Sequence, residues 1–240
     1  MRHLILAVAV LAAPLAAAPV SLADRPAEAV ALDTARKPVE VLAASGIKPG
    51  DRVLDVMAGN GYYTELLSRV VGPTGRVTAL EPPPFLEDPK ALANWDALTR
   101  RDTNVTLLKA MPADVPFPTG LDVAFFHLTY HDLYWQSDKY KFPRMDPAAF
   151  NARLFQAMKK GGSVIVIDHV GVTGLDAREQ ADKTHRIDPA VVRADFEKAG
   201  FRYAGSSPVL QTAGDDPTKL VFDPAVRGKT DRFLYRFTKP

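Results

Sequence analysis

The run Asp55-Val56-Met57-Ala58-Gly59-Asn60-Gly61, continued by Tyr62-Tyr63-Thr64, joins an acid, two glycines and a helix start. A strand that ends on an acid and turns through glycines puts exposed backbone at a strand's carboxyl end, where open α/β sheets bind ligands. Gly59 and Gly61 let a ligand approach the chain and allow dihedrals closed to other residues. The helix opening behind them offers free N–H groups and the positive end of its dipole to an anion. A dinucleotide site would continue as G-x-G-x-x-G. Thr64 stands where the third small residue would pack, which argues against a pyrophosphate. Glu81, about 20 residues beyond the turn, is spaced to accept hydrogen bonds from a ribose diol.

A second group of reactive side chains lies later in the chain. His127 and His131 follow one apolar segment, His169 follows Asp168 at the end of another, and His185-Arg186 precede the helix start Asp188-Pro189. Tyr130, Asp132, Tyr134 and Trp135 make the loop around His131 both aromatic and polar. Three chemistries are open to these residues. A histidine can be a general base, because its pKa lies near working pH. Histidines with Asp132 or Asp168 can hold a metal that activates a substrate oxygen. Or the rings are structural and bond backbone at the strand ends. His127 and His131 sit in a loop, so their four-residue spacing defines no shared face, and no metal-ligand set is assigned. Arg36, Arg186 and Arg227 can each pair with a carboxylate or phosphate, or lie on the surface.

The elements that must position these residues alternate. A helical stretch from Ala27 to Ser45 is broken near Pro38 and ends at Gly46. Strands are expected at Arg52–Val56, Arg76–Leu80, Val105–Leu108, Asp122–Phe126 and Ser163–Ile167, with two late ones near Arg202–Gly205 and Phe233–Phe237. Helices are expected at Tyr62–Val71, Pro89–Arg100, from Asp146-Pro147 to Lys160, and from Asp188-Pro189 to Gly200, the last two opening on an Asp cap with Pro at the first position. Strands alternating with helices imply an α/β fold, a doubly wound and mostly parallel sheet with helices on both faces. Ser206 to Arg232 is rich in Gly, Pro and Asp and is expected to pack over the core as a lid-like insertion.

Composition bounds the partners. The chain has 240 residues, 47% hydrophobic and 24% charged, enough for one sizeable core. A net charge of +2 with no run of Lys and Arg argues against nucleic acid. Arg2, the apolar run Leu4 to Leu15 and the small-x-small Ser21-Leu22-Ala23 form a secretory signal, so residues 1–23 are expected to be removed and 24–240 to form the domain. Ala16-Ala17-Ala18 is a second possible cleavage site. Twelve apolar residues fall short of the roughly 20 that span a bilayer, so no stable membrane insertion is expected after cleavage. The chain has no cysteine, which excludes disulfides and a lipid-linked cysteine. The expected location is periplasmic or secreted; no oligomeric state follows.

With these residues in place, Val53 to Glu81 resembles motif I and the second-strand acid of class I S-adenosylmethionine (SAM)-dependent methyltransferases. More narrowly, Arg36-Lys37-Pro38, Gly59-Asn60-Gly61-Tyr62-Tyr63-Thr64 and Val71-Gly72-Pro73-Thr74-Gly75 resemble a group of exported methyltransferases. The family pattern acid-x-G-x-G-x-G falls on Asp55, Met57, Gly59 and Gly61, with Met57 in place of the first glycine. The resemblance implies a seven-stranded Rossmann-like sheet with an antiparallel last strand, and SAM as cofactor. It implies that Asp55, Ala58, Gly59 and Gly61 hold the methionine end and Glu81 the ribose. Ala110 and Met111 are assigned to the adenine, although Met111 equally suits the core. His131, His169 and Asp168 are the catalytic candidates; Tyr62, Tyr130, Tyr134, His185 and Arg186 are expected to line a small-molecule substrate. Two other functions remain open: a binding protein that kept this fold without catalysis, and another SAM-fold reaction such as aminopropyl transfer.

Overall fold

In this computed structural model, residues 20–240 are described, so the Leu4–Leu15 run lies outside the described residues. The chain opens with three short helices, α1 (Ala27–Val30), α2 (Asp33–Arg36) and α3 (Pro38–Ser45). The break falls where expected: Pro38 begins α3, and Lys37 before it takes a left-handed φ of 43°. Pro disfavours the helical region for its predecessor, so one continuous helix is excluded.

The sheet elements follow as β1 (Arg52–Val56), α4 (Tyr62–Val71), β2 (Arg76–Glu81), α5 (Pro89–Arg101), β3 (Val105–Lys109) and β4 (Leu121–His127). The second half contains α6 (Pro147–Ala157), β5 (Met158–His169), α7 (Ala177–Thr184), α8 (Pro189–Lys198), β6 (Arg202–Ser207) and β7 (Arg232–Thr238). The caps of α6 and α8 form as expected: Asp146 accepts from the N–H groups of Ala148 and Ala149, and Asp188 from that of Ala190. Two local expectations are corrected. The α6 helix stops at Ala157 rather than Lys160, because Met158 already pairs with Leu121 and Gly161 N–H bonds to Lys239 O. The unforeseen α7 buries only Gln180 and Ala181, so its sequence carries almost no apolar stripe.

The strand order is β3-β2-β1-β4-β5-β7-β6, parallel except for β7, which runs against both β5 and β6. The order reverses between β1 and β4, so their carboxyl ends open a crevice at the switch point. Alternation along the strands sorts side chains onto two cores. Leu54, Val56, Ala124, Phe126, Val164 and Val166 face one, and Val53, Val123, Phe125, Ile165 and Ile167 face the other. By the same period of two, Asp55 and His127 point to the α4 side. The stretch between β6 and β7 has no regular element. Buried Leu210, Val221 and Val226 and the buried Arg186–Asp215 ion pair (2.7 Å) hold it.

Candidate active site

The turn after β1 takes left-handed dihedrals at alternate positions: Met57 at φ 52°, Gly59 at 60° and Gly61 at 75°. Met57 therefore adopts the conformation in which a glycine is expected. The cost of such a residue is about 1–2 kcal/mol, against about 1.5–3 kcal/mol for burying a side chain of this size. Met57 is 5% exposed and packs in the core, so burial offsets the strain. The turn is clamped from two sides. Glu81 Oε2 accepts from Gly59 N–H at 2.8 Å, and Trp95 Nε1 on α5 donates to Gly59 O at 3.0 Å. A Cβ on Gly61 would come within 2.7 Å of Leu98 Cδ1 and 3.3 Å of the Trp95 ring, so close packing adds to the dihedral in favouring glycine there.

Asp55 is buried and accepts a 2.7 Å hydrogen bond from the Thr64 hydroxyl. Thr64 thus spans back to the strand acid, a role the dinucleotide comparison could not suggest. Burial pushes the Asp55 carboxyl up to about 7, against the Thr64 bond and the Arg36 charge. Burial likewise pushes Glu81 up to about 8, against the Gly59 N–H and with added repulsion from Asp55 and Asp132. Both acids carry a desolvation cost that a ligand able to donate hydrogen bonds would relieve. Ala110 N–H bonds to Glu81 O at 3.2 Å beside this acid, and Met111 is half-buried against the core.

The N-terminal helices fold over the start of α4. Tyr62 OH donates to Asp33 at 2.6 Å and lies under the Arg36 guanidinium at 4.3 Å. Tyr63 OH donates to Arg36 O, and its ring packs on His127 at 4.5 Å. Arg36 and the buried Arg232 repel one another here, and among the described residues neither meets a carboxylate within ion-pair distance. His127 is held neutral, its pKa driven well down by burial and then by these two arginines, and its Nε2 is buried without a partner.

On the other side of the switch point lies a cleft of about 580 Å³. Its walls include Phe85, Leu128, Trp135 and Phe222, and its polar lining is His131, Asp132, His169, Asp182, Lys183 and His185. His131 and Asp132 sit on a single 3₁₀ turn (His131–Leu133) after β4. Asp168 fixes that turn: its Oδ2 accepts from His131 N–H at 2.9 Å, and its Oδ1 pairs with His131 Nδ1 at 2.9 Å and accepts from His169 N–H at 2.8 Å. His131 Nε2 then lies 3.3 Å from both His185 Nδ1 and Asp132 Oδ1. Burial works against the His131 charge, but Asp168 and Asp132 outweigh it and raise its pKa to about 9. Burial alone would raise Asp168; the His131 ring holds it below the usual range. Asp132 is pushed up to about 6 by burial, with His131 opposing. His169 bonds Thr230 Oγ1 at 2.7 Å, and burial drives it down to about 3. His185 falls to about 4 by burial and the neighbouring His131.

The structure thus gathers His131, Asp168, His169 and His185, and separately Asp55, Ala58, Gly59, Gly61 and Glu81. Four residues expected to meet the substrate are placed otherwise. Tyr130 is fully buried, its hydroxyl donating to Asp195 and accepting from Asn151, so it serves the core. Tyr134 spends its hydroxyl on the same Asp195. Arg186 is fully buried, with both terminal nitrogens on Asp215 and bonds to Lys219 O and Val170 O, so it anchors the loop before β7. Tyr62 lies under the N-terminal helices, away from the cleft wall. Arg227 is exposed. Trp95, Phe85, Phe222 and Thr230 escaped the sequence because each reaches the site from a distant segment with no local motif.

Comparison with known proteins fits this division of the chain. The family model described as protein-L-isoaspartate(D-aspartate) O-methyltransferase matches residues 27–106, which run from α1 to the start of β3. The ubiquinone/menaquinone biosynthesis C-methyltransferase UbiE of Ectopseudomonas mendocina (strain ymp) is 26% identical over 127 residues, covering 52% of this chain and 44% of that protein. The chain thus spans less than half the length of that curated relative. A SAM-dependent methyltransferase from Aquifex aeolicus superposes with a TM-score of 0.58 at 22% identity, covering 89% of this chain and 98% of that one. Aeropyrum pernix fibrillarin, solved with natively bound SAM, superposes at 0.52 with 15% identity, covering 86% and 76%. By its sheet order and by the likeness of its β1–β2 half, the chain has the fold of the class I SAM-dependent methyltransferases.

Proposed function

We propose that the chain is a SAM-dependent methyltransferase whose small-molecule acceptor occupies the histidine cleft. The observation that carries this reading is the clamped left-handed turn beside a desolvated Glu81 in a fold whose solved relatives include a SAM complex. The residues fit the cofactor. Glu81 has lone pairs left after the Gly59 bond and suits two ribose hydroxyls. Arg36 and Arg232 suit the methionine carboxylate, and Asp55 sits on their side of the sheet. When bound, SAM supplies a methyl group already activated on a sulfonium.

The chain's own work is then alignment, exclusion of water and handling of the acceptor's proton. Phe85, Leu128, Trp135 and Phe222 give the cleft apolar walls, so the acceptor is a compact, largely apolar molecule with one nucleophilic atom. The His131–Asp168 pair is the oriented polar group facing that atom, and Asp168 sets which ring nitrogen carries the proton. We extend the proposal to location: Arg2, the Leu4–Leu15 run and Ser21-Leu22-Ala23 support export to the periplasm or beyond. Incubating the protein with methyl-labelled SAM and a small-molecule extract of the host tests the activity. Label should pass to a low-molecular-weight product. Label that stays on SAM while the protein binds it would favour a binding protein of this fold.

A further inference from the structure

We infer that His131 Nε2, Asp132 Oδ1 and His185 Nδ1 form a binding site for one divalent transition-metal ion, with a coordination position open to the cleft. The test of metal binding needs no methyl transfer; an ion on Nε2 would replace the direct contact of that nitrogen with the acceptor, since Asp168 holds Nδ1.

Three electron-pair donors from two distant segments converge, each within 4.8 Å of the others. His131 Nε2 is 3.3 Å from His185 Nδ1 and 3.3 Å from Asp132 Oδ1, and the last two are 3.9 Å apart. A tetrahedral ion with nitrogen and oxygen ligands near 2.0–2.1 Å separates its ligand atoms by roughly 3.3 Å. Two edges of the triangle already have that length, and the third needs a shift of about half an ångström. Among the described residues these three atoms meet no polar partner outside the group. Without an ion or an extra proton, three lone-pair bearers face one another.

The surroundings match what a histidine ligand requires. Asp168 is fully buried and pairs with His131 Nδ1, so Nε2 is the nitrogen that faces the other two donors, and Asp168 also holds the His131 backbone. A carboxylate behind a ligating imidazole is the usual device for fixing ring and tautomer. His185 sits in a left-handed conformation, φ 51°, at the end of α7, with its ring packed between Trp135 at 5.4 Å and Phe222 at 5.2 Å. His169 is not one of the three converging residues; its ring lies 6.3 Å from that of His131 and its Nδ1 bonds Thr230.

Two imidazoles and one carboxylate favour zinc, cobalt, iron or nickel over magnesium and calcium, which prefer oxygen ligands. All three ligating residues line the cleft, so the remaining position faces whatever occupies it. An oxygen bound there would be polarised and more easily deprotonated.

The test uses the full, tag-free chain, stripped with a chelator and titrated with Co2+, then with Zn2+. The expected result is one Co2+ per chain with visible ligand-field bands, displaced by one equivalent of Zn2+. Asp168→Asn should weaken Co2+ binding about 10–100-fold, and His185→Asn, which tolerates the left-handed backbone, should abolish the bands with the fold intact by circular dichroism. No saturable Co2+ band in the folded wild type would overturn the site, as would unchanged Co2+ binding in His185→Asn.

Discussion

Glu81 joins the cofactor turn to the electrostatics of the crevice, and its raised pKa has a definite sign. Burial holds the group protonated up to about pH 8, whereas an ordinary glutamate ionises near 4.5. The fold therefore binds the extra proton, and this contribution to stability is lost as pH rises through 8. Ribose hydroxyls donate to the ionised carboxylate, so SAM binding should release a proton and tighten between pH 6 and 8. Calorimetry in buffers of different ionisation heat measures that release. Glu81→Ala should weaken binding by about 1.5–3 kcal/mol for each hydrogen bond lost. His131→Ala should lower turnover about 10²–10⁴-fold and leave SAM affinity nearly unchanged, as a comparison of kcat with SAM Kd will show. Wild-type turnover in that variant would remove His131 from the reaction. Asp55, Glu81, His131 and Asp168 were legible as residue types at or just after strand ends, but the sequence offered Asp132 as the partner of His131, and it is Asp168 that pairs with its Nδ1. Tyr130 and Arg186 were not, because an aromatic or an arginine in a loop reads the same whether it meets a ligand or a buried carboxylate such as Asp195 or Asp215.

At the scale of elements, α5 is the least expected contributor. Its Trp95 is 2% exposed, donates to Gly59 O and covers Gly61, so the helix after β2 fixes the turn after β1. Trp95→Phe keeps much of the volume and removes the donor. It should cost about 0.5–1.5 kcal/mol of stability and loosen SAM binding, which thermal melts with and without SAM will separate. An equal melting shift on adding SAM to both proteins would show that the turn does not depend on α5. The strands, α4 and the capped α6 and α8 were readable because apolar runs and Asp-Pro starts are local signals. The α7 helix was not, and the stretch before β7 was readable only as an irregular insertion over the core, since its anchoring contacts, such as Arg186–Asp215 and Val221 N–H to Thr184 O, join distant residues. These same two elements bring His185 and Phe222 to the cleft.

Across the whole molecule, the switch point separates a cofactor side, where family likeness concentrates, from a histidine cleft built by β4, β5, α7 and the loop before β7. No helix among the described residues is long and apolar enough to cross a membrane. The carbonyls of Ser21 and Ala23 accept from Arg69 at 3.0 and 2.6 Å, and Leu22 packs on the core, so removal of residues 1–23 would free Arg69 from both. Mass spectrometry of the native protein should find a start near Asp24; a full-length cytosolic chain would refute export. The central claim, that Asp55 to Glu81 is a SAM site, is tested most directly by titrating the chain with SAM and with S-adenosylhomocysteine in a calorimeter. Saturable binding of both at one site per chain, weakened together by Glu81→Ala, is the predicted result. Absence of heat from either ligand in the folded protein, at pH values on both sides of 8, would contradict it.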